Sequence, residues 1–200
     1  MKKIFMIFVF GFLAAFNAQV SFAEDAAKMP PMDEKMAAAM KLMQPGEAHR
    51  KLDALTGTFK AKTTMWMSAD APAQVSEGTS ETKWILDGHF VQQTFKSEFM
   101  GKPFEGMGIT GYDSVAKEYN SIWLDSMATG IMKGTAQYDG ATQTFAEEGT
   151  FSCPLTSKKD FKYESVIKIV DADHYTYEMW HADMKTGKNY KAMDITYSRA

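Results

Sequence analysis

Short stretches in which apolar and polar residues alternate follow one another from residue 57 almost to the end of the chain. Residues 161–169 show the pattern most clearly, with Phe161, Tyr163 and Ile167 in one row and mostly charged residues in the other. A period of two is typical of a β-strand with one buried face. We count about ten such stretches at spacings of about 11 to 18 residues, most of them separated by hairpin-sized turns such as Asp87-Gly88.

This regularity predicts an all-β fold, an antiparallel up-and-down lipocalin-like barrel of about ten strands with a short N-terminal helix. Closure into a barrel removes the exposed strand edges that an open meander would leave. The alternative is a sandwich of two sheets. No helical pattern separates the strands, which argues against a βαβ fold.

The hairpin formed by residues 103–113 and 118–125 has an unusual face. Gly106 and Gly108 lie on one side of its first strand, two residues apart. Glycine weakens a strand and leaves its backbone uncovered, so the pair predicts a bend or a close approach of another group.

Residues 24–56 contain the helix-like stretch. Its methionines, Met32, Met36, Met40 and Met43, are spaced four, four and three residues apart and share one helical face. Such a row either packs on the barrel or plugs one end of it, or its thioethers bind Cu(I). We divide the chain into a signal peptide (1–23), a linker with a methionine-rich helix (24–56) and a barrel domain (57–200).

The N-terminus has the order of a secretory signal peptide. Lys2 and Lys3 precede an apolar run over 4–16, and the small-x-small site Ser21-Phe22-Ala23 follows. The run is too short to span a bilayer, which takes about 20 residues, so an uncleaved anchor is the weaker alternative. We expect a periplasmic or secreted protein without a lipid anchor, since no cysteine lies at the junction, and without a transmembrane segment in the mature chain.

The charge argues against one class of partner, and the cysteine content excludes one kind of cross-link. Loss of two lysines with residues 1–23 moves the formal net charge from −3 to −5, and no basic stripe is present, which argues against nucleic-acid binding. Cys153 is the single cysteine, so an intrachain disulfide is excluded, and we interpret it as a buried, inert thiol. The sequence leaves the oligomeric state open.

Several segments together resemble the DUF1579 family. They are HRKL at 49–52 with LTGTF at 55–59, DGHFVQQ at 87–93, PFEGMG at 103–108 with GYD at 111–113, and WLDSM at 123–127 with Gly130. The resemblance spans about residues 45–198. It implies a bacterial protein of unknown function with a lipocalin-like (calycin) barrel, and it carries over no catalytic residue. His89 departs from the pattern, where an arginine or a similar residue is expected.

Aromatic residues on strands, with small polar residues at neighbouring alternate positions, indicate a pocket. Barrels of about eight strands just fill their interior or hold one small ligand, so ten strands leave additional space. We therefore predict binding of a small apolar molecule inside the barrel. The candidate ligand-binding residues are Trp84, Phe95, Tyr119, Trp123, Asp125 and His181.

Two other functions remain open. One is a hydrolase or an isomerase, for which Asp125 and Glu148 are candidates for inward carboxylates. The other is a structural partner-binding module, in which the barrel has a filled core. His181 could ligate haem iron alone, although an ordinary partly buried histidine explains it more simply. No catalytic triad context and no G-x-S-x-G motif is present. We predict no catalytic residue, no metal site and no cofactor, and favour a non-enzymatic role.

Overall fold

The computed structural model describes residues 33–200. Two helices come first, α1 (Glu34–Leu42) and α2 (Glu47–Arg50), followed by a 3₁₀ segment (Lys51–Leu55). The ten strands are β1 (Gly57–Met65), β2 (Gln74–Ile85), β3 (Phe90–Phe99), β4 (Lys102–Asp113), β5 (Glu118–Asp125), β6 (Met132–Asp139), β7 (Thr144–Cys153), β8 (Lys158–Ile169), β9 (His174–Ala182) and β10 (Asn189–Arg199).

The strands form a closed barrel in which each strand pairs antiparallel with its neighbours in the chain. β1 also pairs with β10, from Phe59 opposite Arg199 to Met65 opposite Met193. The predicted up-and-down barrel of about ten strands is confirmed, and the sandwich alternative is wrong. Closure pairs the backbone groups of the first and last strands, which would otherwise be a sheet edge.

One end of the barrel is filled by side chains and covered by the segment 47–55. Tyr175 and Tyr197 stack with ring centroids 4.2 Å apart, and Phe59 meets Tyr175 edge-on. The covering segment buries Leu52 and Leu55 here, and the buried apolar residues of the strands at this end include Phe59, Tyr119, Phe145, Tyr175 and Tyr197. The covering segment is held by two long-range hydrogen bonds, from Tyr119 Oη to the carbonyl oxygen of Ala48 (2.7 Å) and from Trp84 Nε1 to Asp53 (2.9 Å).

Helix α1 does not contribute to that cover. Asp33 caps it by accepting a hydrogen bond from the Met36 amide at 2.7 Å. Met36, Met40 and Met43 are exposed, and α1 has no buried residue. The expectation that the methionine row packs on the barrel or plugs its end is therefore wrong for these three residues, and the plug is the segment that follows. Met32 and the predicted signal peptide lie outside the described residues.

None of the helices within residues 33–200 has the length and apolar character needed to cross a membrane.

His89 connects the N-terminal segment to the turn between β2 and β3. Its Nδ1 lies 2.6 Å from the carbonyl oxygen of Leu86, and its Nε2 lies 3.0 Å from that of Met43. Both partners are acceptors, and a neutral imidazole has a single N–H, so only the protonated ring donates to both. These two hydrogen bonds raise the pKa of His89, with a smaller contribution from Asp87, whereas burial, followed by the charge of His89, lowers the pKa of nearby His49.

The substitution His89→Gln should remove a pH-dependent part of the stability. Since the folded-state pKa of His89 is raised, its contribution is complete below the ordinary value of 6.5 and is lost as the pH rises through the folded-state value. The difference in unfolding free energy between parent and variant should therefore be largest in mildly acidic solution and vanish in alkaline solution. NMR titration gives an internal comparison, and a His89 pKa at or below that of His49 would contradict the assignment.

Candidate functional site

The half of the barrel away from the covering segment is hollow. It encloses a cavity of about 410 Å³. At this end lie the connections from β1 to β2, β3 to β4, β5 to β6, β7 to β8 and β9 to β10, because antiparallel neighbours alternate in direction. Met67 and Met127, in two of these connections, line the cavity and are exposed, so the cavity opens to solvent here.

The wall near the opening is rich in methionine and aromatic side chains. These residues are Met65, Met67, Met127, Met132, Met179, Met193, Phe99, Phe104 and Trp123. Methionine has an unbranched, polarisable side chain that adapts to irregular apolar surfaces. The opening therefore provides an apolar surface that can adjust to the shape of a ligand.

Trp123 lies flat against the backbone of β4. A Cβ atom on Gly106 would meet its Cζ2, and one on Gly108 would lie 3.3 Å from its Cε3. The two glycines therefore allow the close approach that their alternation predicts. The indole Nε1 donates to Asp125 Oδ2 at 3.0 Å, while Oδ1 of Asp125 accepts from the amides of Met127 and Ala128. Asp125 thus fixes both the indole and the turn that follows β5.

Glu147 is the inward carboxylate on β7. It accepts hydrogen bonds from Ser121 Oγ (2.5 Å), Tyr163 Oη (2.8 Å) and Ser165 Oγ (3.3 Å). Burial, and then the charge of Glu147, raises the pKa of Tyr163 well above its usual range, so this phenol remains a donor. Side chains at Gly134 or Gly149 would collide with Glu147 or Tyr163, so two further glycines make room for this group.

The expectation that Glu148 lies on an inward face is wrong. The inward row of β7 runs through buried Phe145 to Glu147, whereas Glu148 is exposed and borders a groove on the outer surface. Alternate residues of a strand point to opposite faces, so a shift by one position exchanges the two glutamates. The position of Phe145 in the apolar row was the signal that could have identified Glu147.

Thr63 on β1 carries a polar atom without a partner. Its side chain is 7% exposed and lines the cavity, and its Oγ1 has no hydrogen-bond partner. It was missed because a threonine in an inward row has no distinctive sequence signal. Buried hydroxyl groups are nearly always hydrogen-bonded, so Thr63 marks a place where a polar group of a ligand would be stabilised.

The structure brings together some of the predicted ligand-binding residues. Phe95, Trp123 and Asp125 line the cavity. Trp84 and Tyr119 instead lie at the covered end, where both bond to the N-terminal segment. His181 packs edge-on against Phe151, Phe161 and Tyr190 and is not among the described cavity residues.

Metal-binding side chains are dispersed over the described part of the chain. Within residues 33–200, no three or more His, Cys, Asp or Glu side chains are grouped so that they could hold a metal ion. Cys153 is buried, in agreement with its interpretation as a buried thiol.

Comparison with known proteins identifies a family and a fold. The family described as "Protein of unknown function (DUF1579)" matches residues 44–199. No curated protein matches the chain. Rv2717c from M. tuberculosis has 15% sequence identity and a TM-score of 0.58, covering 78% of this chain and 99% of its own. The S-type phycobiliprotein lyase CPES from Guillardia theta has 10% identity and a TM-score of 0.54, covering 76% and 92%. At these identities the likeness concerns the fold.

The contact between Trp123 and β4 can be tested by adding a single methyl group. Gly106→Ala should lower the free energy of unfolding by about 1–3 kcal/mol, because the new Cβ forces the indole away, and Gly108→Ala should have a smaller effect. In a Trp123→Ala background, Gly106→Ala should lose most of its effect. Denaturant unfolding of the parent, Gly106→Ala, Trp123→Ala and the double variant measures the coupling. Equal losses in both backgrounds would show that another group opposes the methyl.

Proposed function

Since the chain belongs to the DUF1579 family, which is described as a family of unknown function, we propose that its barrel binds a small, largely apolar molecule in the hollow half. The observation that carries the proposal is the cavity of about 410 Å³ with the unpartnered Thr63 hydroxyl in its wall. Small-molecule sites typically enclose about 300–1,000 Å³, with mainly apolar walls and a few placed polar groups. The cavity has this size and this composition.

The contrast between the two halves of the barrel supports binding over a purely structural role. One half is packed with buried aromatic rings, so the chain has the means to fill its interior. In the other half, four glycines allow Trp123, Glu147 and Tyr163 to lie against the wall instead of crossing the space. Apolar ligand surface that leaves water for this wall gains about 25 cal/mol per Å².

An enzyme using an inward carboxylate is the second candidate, and Glu147 is the observation that favours it. A carboxylate at a cavity wall, hydrogen-bonded to Tyr163 and Ser121, has the chemical components of a general base with a neighbouring donor. A hydrolase or isomerase of this kind would convert its ligand. Recovery of the ligand unchanged after prolonged incubation favours the carrier, whereas release of a product favours the enzyme.

Binding can be measured with a neutral naphthyl dye whose fluorescence increases in apolar surroundings. The protein should bind the dye and melt at a higher temperature in its presence, with a stabilisation of about 2.7 kcal/mol at a hundredfold excess over the dissociation constant. Trp123→Ala should weaken binding on the order of tenfold, because a large aromatic contact is lost from the wall. Trp84→Phe, at the covered end, is the matched control and should bind the dye as the parent does.

Failure of the dye to bind, together with no thermal shift across a library of neutral lipids, would reject the carrier. Equal weakening by Trp84→Phe and Trp123→Ala would instead show that the dye binds outside the hollow half. In either case the structural partner-binding module would become the leading explanation.

We also propose that the protein is exported, on the strength of the charged, apolar and small-residue order of residues 1–23. Material recovered from the bacterial periplasm or the medium should begin at Glu24. Intact-mass measurement decides this, and exported protein that retains Met1 would contradict the proposed cleavage. A Lys2→Glu, Lys3→Glu variant should accumulate uncleaved in the cytoplasm, because the positive n-region is then lost.

A further inference from the structure

Given that proposed binding function, we infer that the ligand is a cationic amphiphile, a molecule with a protonated amine at one end and an apolar body. The amine would pair with Glu147 and the apolar body would lie among the methionines and Trp123. The charge of the lining, the hydrogen-bonding capacity of Glu147 and the arrangement of polar and apolar walls support this inference.

The charge on the lining has a single sign. Glu98, Asp125 and Glu147 line the cavity, and the described lining residues include no lysine, arginine or histidine. Glu98 is exposed near the opening at the end of β3, and Asp125 lies at the end of β5. Glu147 lies two residues beyond the buried Phe145 of the filled half. A cleft lined by one sign of charge concentrates the opposite sign within it. The cavity therefore favours cations and disfavours carboxylates and phosphates.

The Glu147 carboxylate accepts fewer hydrogen bonds from the described residues than it can. A carboxylate has about four acceptor positions, and here Oε1 accepts from Tyr163 and Ser165 while Oε2 accepts from Ser121 alone. All three donors are neutral hydroxyls. Across residues 33–200, no lysine, arginine or histidine nitrogen lies within 4.0 Å of a Glu147 oxygen. The hydroxyls stabilise the carboxylate without neutralising it, and an ammonium group would supply both the missing donor and the counter-charge.

The walls set the orientation of the ligand. The inner part of the cavity, next to the filled half, carries Glu147, Ser121, Thr82 and Gln93. The outer part carries the methionines and Trp123. The charged end therefore enters first and the apolar body remains near the opening. Thr63 Oγ1, two residues before the end of β1, is the partner of a second polar group on that outer part of the ligand.

A set of three probes with one chain tests the inference: decylamine, decanol and decanoate, each competing with the neutral dye below its micelle concentration. At neutral pH they carry positive, zero and negative charge. Decylamine should displace the dye at a concentration about tenfold or more below that of decanol, because a charge-assisted hydrogen bond is added. Decanoate should be the weakest competitor.

Two neighbouring glutamates provide a matched pair of variants. Glu147→Gln should bring decylamine close to decanol, whereas Glu148→Gln, with the same change of charge on the outer face, should keep the preference. Circular dichroism and melting temperature check that both variants fold, and the three-probe comparison on the parent needs no variant.

The outcomes separate the two proposals. Dye binding with equal affinity for the three probes, or with decanoate the tightest, overturns the cationic ligand and leaves small-molecule binding standing. A preference for decylamine that survives in folded Glu147→Gln also overturns the assignment to Glu147. If neither the dye nor any probe binds the parent, the binding function itself fails and the inference fails with it.

Discussion

The hydrogen bonds between β1 and β10 determine how much space the protein encloses. Once the first and last of ten strands are paired, the diameter of the barrel is set by strand number and tilt, and the side chains must adapt to it. Ten strands surround more volume than inward side chains of ordinary size fill. In one half, large aromatic residues and the segment 47–55 take up this volume. In the other half it remains open.

Close approaches between side chains and glycine backbones shape the open half. Trp123 lies over Gly106 and Gly108, and the Glu147 and Tyr163 pair lies over Gly134 and Gly149. In each case a bulky or charged group is held against the wall by a hydrogen bond, to Asp125 for the indole and to Tyr163 for the carboxylate. The glycines thus influence the cavity indirectly, since they determine where larger side chains lie. We therefore expect substitutions at these glycines to change both the fold and the site.

Most of the architecture was predictable from the sequence because β-strands have a strict period. The strand number, the antiparallel order and inward rows such as Phe161, Tyr163 and Ser165 follow from alternation and turn residues. The residues of the site were harder to predict from the sequence. Glu147 and Glu148 differ by one position, so the inward carboxylate is identified only when the row through Phe145 is followed along β7. Trp84 and Tyr119 share the chemical character of Trp123, and only the position of the covering segment places them in the filled half. The exposure of the methionine face of α1 was also not predictable, because it depends on tertiary contacts that the helical period does not encode.

The way in which Glu147 is held has consequences for both stability and recognition. A buried ion pair would leave a charge unpaired if either partner moved, whereas three hydroxyl donors distribute the stabilisation over Ser121, Tyr163 and Ser165. The carboxylate is therefore hydrogen-bonded without a counter-ion from the described part of the chain. The negative charge nevertheless remains, in a cavity where the surrounding apolar walls strengthen electrostatic interactions relative to water. The hydroxyl network thus separates two requirements: it satisfies the carboxylate enough for the protein to fold, and it leaves the net charge available to select what binds.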